Sequence, residues 1–136
     1  MDDLLKTMRI SAAAMKAQGT RLRVISENVA NASSLPQSPG GKPYQRKIVV
    51  FKNVLDRKIG IDTVRVDKIT ADKSKFSKRF DPNHVAADAN GYVLAPNINT
   101  LIEMADMREA QRSYDANLNA IKTSKQMLKS TIELLR

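Results

Sequence analysis

Cysteine and tryptophan are absent from the 136 residues, and histidine occurs once, at His84. Without cysteine there is no disulfide framework and no thiolate metal site. With a single histidine, a Ser-His-Asp triad or a histidine-rich metal site has one place to form, and Asp81-Pro82-Asn83-His84 reads as a turn. Aromatic residues make up 4% of the chain, so any core is built mainly from aliphatic side chains. No apolar run approaches the roughly 20 residues of a membrane-spanning helix. The opening Met1-Asp2-Asp3 is acidic where a secretory signal is basic, and no apolar stretch of signal length follows, so a cleaved signal is not expected. Gly40-Gly41 leads into Lys42-Pro43 and not into a helix, which excludes a phosphate loop there. Asp81, Asp88 and Asn90 lack the ligand spacing of an EF-hand. No pair of carboxylates is singled out for acid–base work. The expectation is a protein with no catalytic residue, no cofactor and no bound metal.

What the chain does have is periodicity. Met1, Met8, Met15, Leu22 and Val29 fall on every seventh residue, as do Met107, Tyr114, Ile121, Leu128 and Leu135 near the other end. Heptad spacing gathers such residues into a column on one helix face. A first helix is predicted from about Asp3 to Ala30, with Leu4, Leu5, Ala12 and Ile25 beside its column. Asp2 and Asp3 place negative charge where the helix dipole is positive. Ala12, Ala13, Ala14, Ala17 and Gly19 make much of this helix small-faced. Small residues let helices approach closely but bury little area, so the helix is weak alone. A second helix is predicted from Thr100 onward, where no glycine or proline occurs. Thr100-Leu101-Ile102-Glu103 fits a capping box. Met104, Leu118 and Ile132 broaden the column, while Gln111 and Lys125 interrupt its neighbour.

Between the helices lies a shorter, different segment. Residues 33–41 form a connector rich in serine, proline and glycine, which no regular element survives. Tyr44 to Phe51 and Ile59 to Ile69 are predicted strands, Lys73 to Phe80 a third strand or a basic loop, and Asn90-Gly91 a tight turn into a closing strand, Tyr92 to Ala95. Tyr44, Phe51, Phe76 and Phe80 sit in apolar strand patterns and are expected in the core. The fold class is therefore α+β. Long N- and C-terminal helices (residues 1–32 and 97–136) form a coiled-coil or helical-bundle domain, and residues 42–96 form a small, basic, β-rich domain inserted between them.

Charge is concentrated in that middle. Of the net +9, residues 40–80 hold twelve basic and four acidic side chains, whereas residues 1–39 and 81–136 are close to balanced. A local basic surface attracts nucleic acid, anionic lipid or an acidic protein. Basic residues interleaved with aromatics make nucleic-acid binding the rival class. The striped ends point elsewhere, since the material between them is too small to cover both. That layout belongs to a protein that assembles with other helices.

Particular runs sharpen this expectation. Ser26-Glu27-Asn28-Val29-Ala30-Asn31-Ala32, closing the first helix, resembles the terminal signature of bacterial flagellar rod, hook and hook-associated proteins. Asp81-Pro82-Asn83-His84, Ala87-Asp88-Ala89-Asn90-Gly91-Tyr92-Val93 and Pro96-Asn97-Ile98-Asn99 resemble the proximal-rod proteins of the basal body. Glu103-Met104-Ala105-Asp106-Met107, then Ala110, Arg112, Tyr114 and Ala116-Asn117, continue the likeness over essentially the whole length. Val85 stands where the family usually has proline, and Ser33-Ser34 where it has Asn-Thr.

The resemblance implies a structural subunit of the flagellar basal-body proximal rod. It implies export through the flagellar export apparatus without a cleaved signal peptide, and a place in the periplasmic rod. The termini are expected to pack as a coiled coil in the axial core, with the middle forming an outer β domain. Implied partners are copies of the same chain, other rod subunits and the adaptor at the rod base, with no nucleic acid and no membrane span. A rod or needle component of a related type III secretion system is an alternative, although such proteins usually lack a middle module. Within this reading Met8, Met15, Leu22, Ile25, Val29, Met104, Met107, Tyr114, Leu118, Ile121 and Leu128 supply subunit-interface packing. Asn28, Asn31, Asn97, Asn99 and Asn117 supply oriented hydrogen bonds that fix register, with capping as the simpler role for Asn31 and Asn99.

Overall fold

A computed structural model describes residues 2–135; Met1 and Arg136, at the ends of the expected terminal helices, lie outside the described residues. The elements run α1 (Asp2–Ala30), β1 (Lys47–Asp56), β2 (Ile61–Ala71), β3 (Ser77–Phe80), β4 (Tyr92–Ala95) and α2 (Thr100–Leu134). The α+β class and the two long terminal helices, which pack together around a small β region, are as the sequence suggests.

Helix α1 opens with Asp2 and Asp3 in its first turn, matching the positive end of the dipole. It ends where Asn31 turns back: its backbone N–H and its side-chain amide both donate to the Glu27 carbonyl, at 3.1 and 2.8 Å. Helix α2 does not begin with the expected capping box. Asn99 is the cap, its Oδ1 accepting the N–H groups of Leu101 and Ile102 at 3.1 and 3.4 Å. Glu103 is thereby free for another task, described below.

The strands are shifted relative to expectation. β1 starts at Lys47 rather than Tyr44 and continues to Asp56, because side chains outside the sheet engage residues 44–46. β1 and β2 pair as a hairpin. In its turn Ile59 and Gly60 donate to the Asp56 carbonyl, and Gly60 adopts a φ of 66°. The segment left open between strand and basic loop is a strand: β3 pairs antiparallel with β4, in a register that sets Lys78 opposite Leu94 and Phe80 opposite Tyr92. Phe80 is not in the core. It is 64% exposed and packs edge-on against Tyr92, ring centroids 5.3 Å apart. Gly91 makes this possible, since at its φ of 80° a Cβ would sit 3.0 Å from Pro82 Cβ and 3.1 Å from Phe80 Cε2.

The chain divides into two compact units. One comprises Arg23–Ile48 and Ile69–Met107: the end of α1, the connector, the β3–β4 sheet and the start of α2. Its apolar core is Val24, Ile25, Ala86 and Val93. The other comprises Met1–Leu22, Val49–Lys68 and Arg108–Arg136, in which the helical arms accompany the tip of the β1–β2 hairpin. Its buried apolar side chains are Ala17 and Ala110, joined by Ser11 and Ser124. Arg21 reaches Glu109 across the two helices at 3.8 Å.

Gly19 lies within α1, and a Cβ there would meet nothing within 4 Å. Gly19→Ala is therefore expected to favour the helical state of α1 by about 1 kcal/mol through helix propensity and a less flexible unfolded chain, raising the helical content of the free subunit. Circular dichroism of the dilute free subunit checks this; an unchanged or lower helical content would contradict it.

Candidate functional site

The densest polar chemistry among the described residues sits where the end of α1, the start of β1 and the start of α2 converge. Asn28, on the last turn of α1, is 1% exposed. Its amide uses its full bonding capacity. Nδ2 donates to the Lys47 carbonyl at 2.9 Å and to Glu103 Oε2 at 3.1 Å. Oδ1 accepts the Lys47 N–H at 3.0 Å and the Tyr44 hydroxyl at 3.2 Å. Because it takes both backbone groups of Lys47, the side chain acts as one more residue of a neighbouring strand at the exact point where β1 begins.

Glu103, also 1% exposed, carries a charge into this interior. Arg46 neutralises it, donating Nε to Glu103 Oε1, while its Nη1 reaches Asp72 Oδ2 at 3.2 Å and its Nη2 lies 3.8 Å from Asp106. On the far side Asn97 accepts the Arg46 N–H at 2.8 Å and donates to the Asp72 and Ser74 carbonyls at 3.0 and 3.2 Å. The backbone closes the ring: the Asp72 N–H donates to the Arg46 carbonyl at 2.7 Å. One four-residue stretch, Tyr44 to Lys47, is thus clasped by α1, by α2 and by the residues after β2 and β4. At the rim, Lys47 Nζ reaches Glu27 at 2.9 Å.

These contacts move the acids in one direction. Hydrogen bonds from Ser74, backbone then hydroxyl, and a further one from Arg46 hold the Asp72 carboxyl below the usual aspartate value. The Lys47 ammonium does the same to Glu27. Burial pushes the Tyr44 hydroxyl upward. Depressed carboxylates stabilise the fold above their ordinary pKa, near 4, and that contribution is lost as pH falls through the lower folded values. The urea midpoint is therefore expected to drop between about pH 4 and pH 2. Asp72→Asn is expected to flatten that dependence, and an unchanged slope would show that Asp72 is not responsible.

The expected interface residues distribute unevenly. Ile25 and Asn28 are buried; Asn99 and Met104 are exposed. Met8, Met15, Leu22, Val29, Asn31, Asn97, Met107, Tyr114, Asn117, Leu118, Ile121 and Leu128 are half-buried. The innermost positions form other columns. On α2 Glu103, Ala110 and Ser124 are buried, with Asn117 completing their seven-residue spacing; on α1 Ala17 and Val24 are buried. Asn117 donates within α2 to the Ser113 carbonyl at 2.8 Å. Asn28 and Asn97 join the clamp, and Asn31 and Asn99 cap helices.

Glu103, Arg46, Asp72 and Tyr44 were not anticipated from the sequence as parts of this site. A signal existed for Glu103, which shares heptad spacing with Ala110, Asn117 and Ser124.

Apart from Pro43 and Pro96, six apolar side chains are buried among the described residues, three of them alanine, whereas fourteen large apolar ones are exposed. Leu101, Ile102 and Met104 crowd the start of α2, and Ile132, Leu134 and Leu135 its end. No group of three histidine, aspartate or glutamate side chains is placed to hold a metal among the described residues, and no helix is long and apolar enough to cross a membrane. Terminal helices packed together, with large apolar side chains left exposed on them, are the build of a structural subunit.

Comparison with known proteins agrees. Residues 89–134 match the family described as flagellar basal body rod FlgEFG protein C-terminal. The chain is 48% identical over 136 residues to the flagellar basal-body rod protein FlgC of Agrobacterium fabrum, covering 100% of this chain and 98% of that protein. It is 35% identical to FlgC of Borreliella burgdorferi, with 98% of each covered, and 38% identical to FlgC of Salmonella typhimurium, with 96% and 97% covered. The chain belongs to the FlgC family of flagellar basal-body rod proteins and is a structural subunit of that rod. Neither the geometry nor these relatives favours a virulence-system needle component or a nucleic-acid-binding protein.

Proposed function

We propose that this subunit builds the proximal rod in the periplasmic space, acting without catalysis. It joins copies of itself, sister rod proteins and the adaptor at the rod base, after passing through the flagellar export apparatus without a cleaved signal. Residues 1–32 and 97–136 form the axial core, and residues 42–96 face outward. The observation that carries this reading is the contrast between a seam built from alanine and serine and the large apolar side chains left exposed on the same helical arms, Leu5, Met127, Ile132, Leu134 and Leu135.

Each helix presents a different face to each neighbour, so the contacts are heterologous. Such contacts repeat as a helical filament when their rotation does not close a ring. Met8, Met15, Leu22, Val29, Met107, Tyr114, Leu118, Ile121 and Leu128 flank the innermost columns and are the side chains that neighbours complete, with Met104 already exposed. Asn28 holds the clamp and Ile25 the apolar core of the same unit; Asn31 and Asn99 fix where each helix ends, and Asn97 and Asn117 fix local register.

Epitope labelling of this chain in purified basal bodies tests the placement. Label at the base of the rod supports it; label confined to the distal rod or hook, or absent from the basal body, contradicts it.

A further inference from the structure

Of the nine asparagines, only Asn90 is followed by glycine. The loop that holds it, between β3 and β4, is tight. Gly91 N–H donates to the Asp88 carbonyl at 3.0 Å, and Asp88 N–H donates to the Tyr92 carbonyl at 2.9 Å. Gly91 has a φ of 80°, whereas no described residue other than glycine has a positive φ. Ala89 and Asn90 are therefore the central pair of a type I turn, and Gly91 is the bulge that returns the chain to β4. Glycine is obligatory there, since a Cβ would crowd Pro82 and Phe80 at 3.0 and 3.1 Å.

The turn thus sets after an asparagine the residue that shields its own backbone nitrogen least. Asn90 is exposed, and its side-chain amide has no partner among the described residues. Asparagine is thermally labile because the next backbone nitrogen attacks its side-chain carbon. At Asn90 the Gly91 nitrogen loses its proton to solvent and bonds to Cγ. The Cγ–Nδ2 bond breaks, and ammonia leaves with a proton from water. One water then adds to either carbonyl of the five-membered imide, and the C–N bond to that carbonyl breaks. Aspartate or isoaspartate is left at position 90, with one water consumed and one ammonia released.

The folded loop opposes ring closure. In a type I turn ψ at the second central residue is about 0°, which points the Gly91 nitrogen away from the Asn90 side chain. Asp88 holds that arrangement through three consecutive N–H groups. Its carbonyl accepts from Gly91, and its Oδ1 accepts from Asn90 and Tyr92, both at 2.9 Å. We propose that Asn90 is a site of spontaneous covalent modification, and that the Asp88 clasp sets its rate, slow in the folded subunit and fast when the loop opens. Isoaspartate routes the main chain through Cγ, adding one atom to the loop that sets Phe80 opposite Tyr92. Conversion therefore displaces the exposed Phe80–Tyr92 pair. Because the loop and the clamp lie in one compact unit, this inference is independent of the subunit's place in the rod.

Peptide mass spectrometry that separates aspartate from isoaspartate tests it on the full chain, incubated at neutral pH folded and unfolded in guanidinium chloride. Conversion at Asn90 is expected to be faster by about tenfold or more in the unfolded chain, since the reaction in the folded one waits on local opening. Asp88→Ala should approach the unfolded rate while Val93, 0% exposed in the native unit, keeps its slow amide exchange. Asp88→Asn retains an acceptor oxygen and should stay slow. No conversion in the unfolded chain, or equal rates folded and unfolded, overturns the inference. So does an Asp88→Ala subunit that is folded and as slow as the unsubstituted one, or a folded Asp88→Asn subunit that is fast. Loss of Val93 protection in Asp88→Ala, with Asp88→Asn folded and slow, supports the clasp.

Discussion

Ile121→Asp or Leu118→Asp is expected to abolish incorporation into the rod, leaving cells without a complete basal body. Both side chains are half-buried on α2 and flank the innermost column of Ala110, Asn117 and Ser124. A carboxylate at an apolar interface must be desolvated without a partner, which costs several kcal/mol for each contact. In a filament the cost recurs at every copy. Neither residue belongs to the unit containing Asn28, Arg46 and Glu103, so that unit should remain folded and keep its slow-exchanging amides. Isolated basal bodies probed for the variant chain supply the test. A normal rod built from either variant would show that these side chains do not face a neighbour.

Arg46→Ala is expected to destabilise the subunit by about 3–5 kcal/mol, because it leaves the Glu103 carboxylate buried with only Asn28 beside it. That is a large share of the roughly 5–15 kcal/mol available to a typical domain. Replacing both partners, Arg46→Met with Glu103→Leu, removes the two charges together and should recover much of the loss. The difference between the double variant and the two single ones is the coupling energy, expected above 1 kcal/mol for groups in direct contact. Denaturant midpoints give all the values needed. A cost below about 1 kcal/mol for Arg46→Ala would mean that water solvates Glu103 after the change, and that the clamp contributes little.

The sequence disclosed long-period features well and long-range ones poorly. α1 and β4 lie where residue pattern and turn chemistry put them, since their boundaries depend on neighbours in the chain such as Asn31 and Gly91. The start of β1 was misplaced because what fixes it comes from Asn28, 19 residues before Lys47, and Asn97, 51 residues after Arg46. Glu103 fits a capping box by spacing alone, yet its partner Arg46 lies 57 residues away. The heptad columns revealed that each helix has an apolar stripe but missed the line of closest approach. Close approach selects small residues such as Ala17, Ala110 and Ser124, and these are quiet in any hydrophobic pattern. Phe80 misled because an exposed strand face in an assembling subunit looks like a core face.

The proposed assembly requires terminal helices that are incomplete without neighbours. Around the seam of Ser11, Ala17, Ala110 and Ser124 little apolar area is removed from water, while fixing each residue's backbone costs about 1–2 kcal/mol. Hydrogen exchange of amides in residues 5–20 and 108–132, in dilute free subunit and in isolated rods, measures this directly. The prediction is near-unprotected exchange in the free subunit and protection increased about a thousandfold in the rod, with the Arg46–Lys47 amides slow in both. Equal, strong protection of both helices in the free subunit would contradict it.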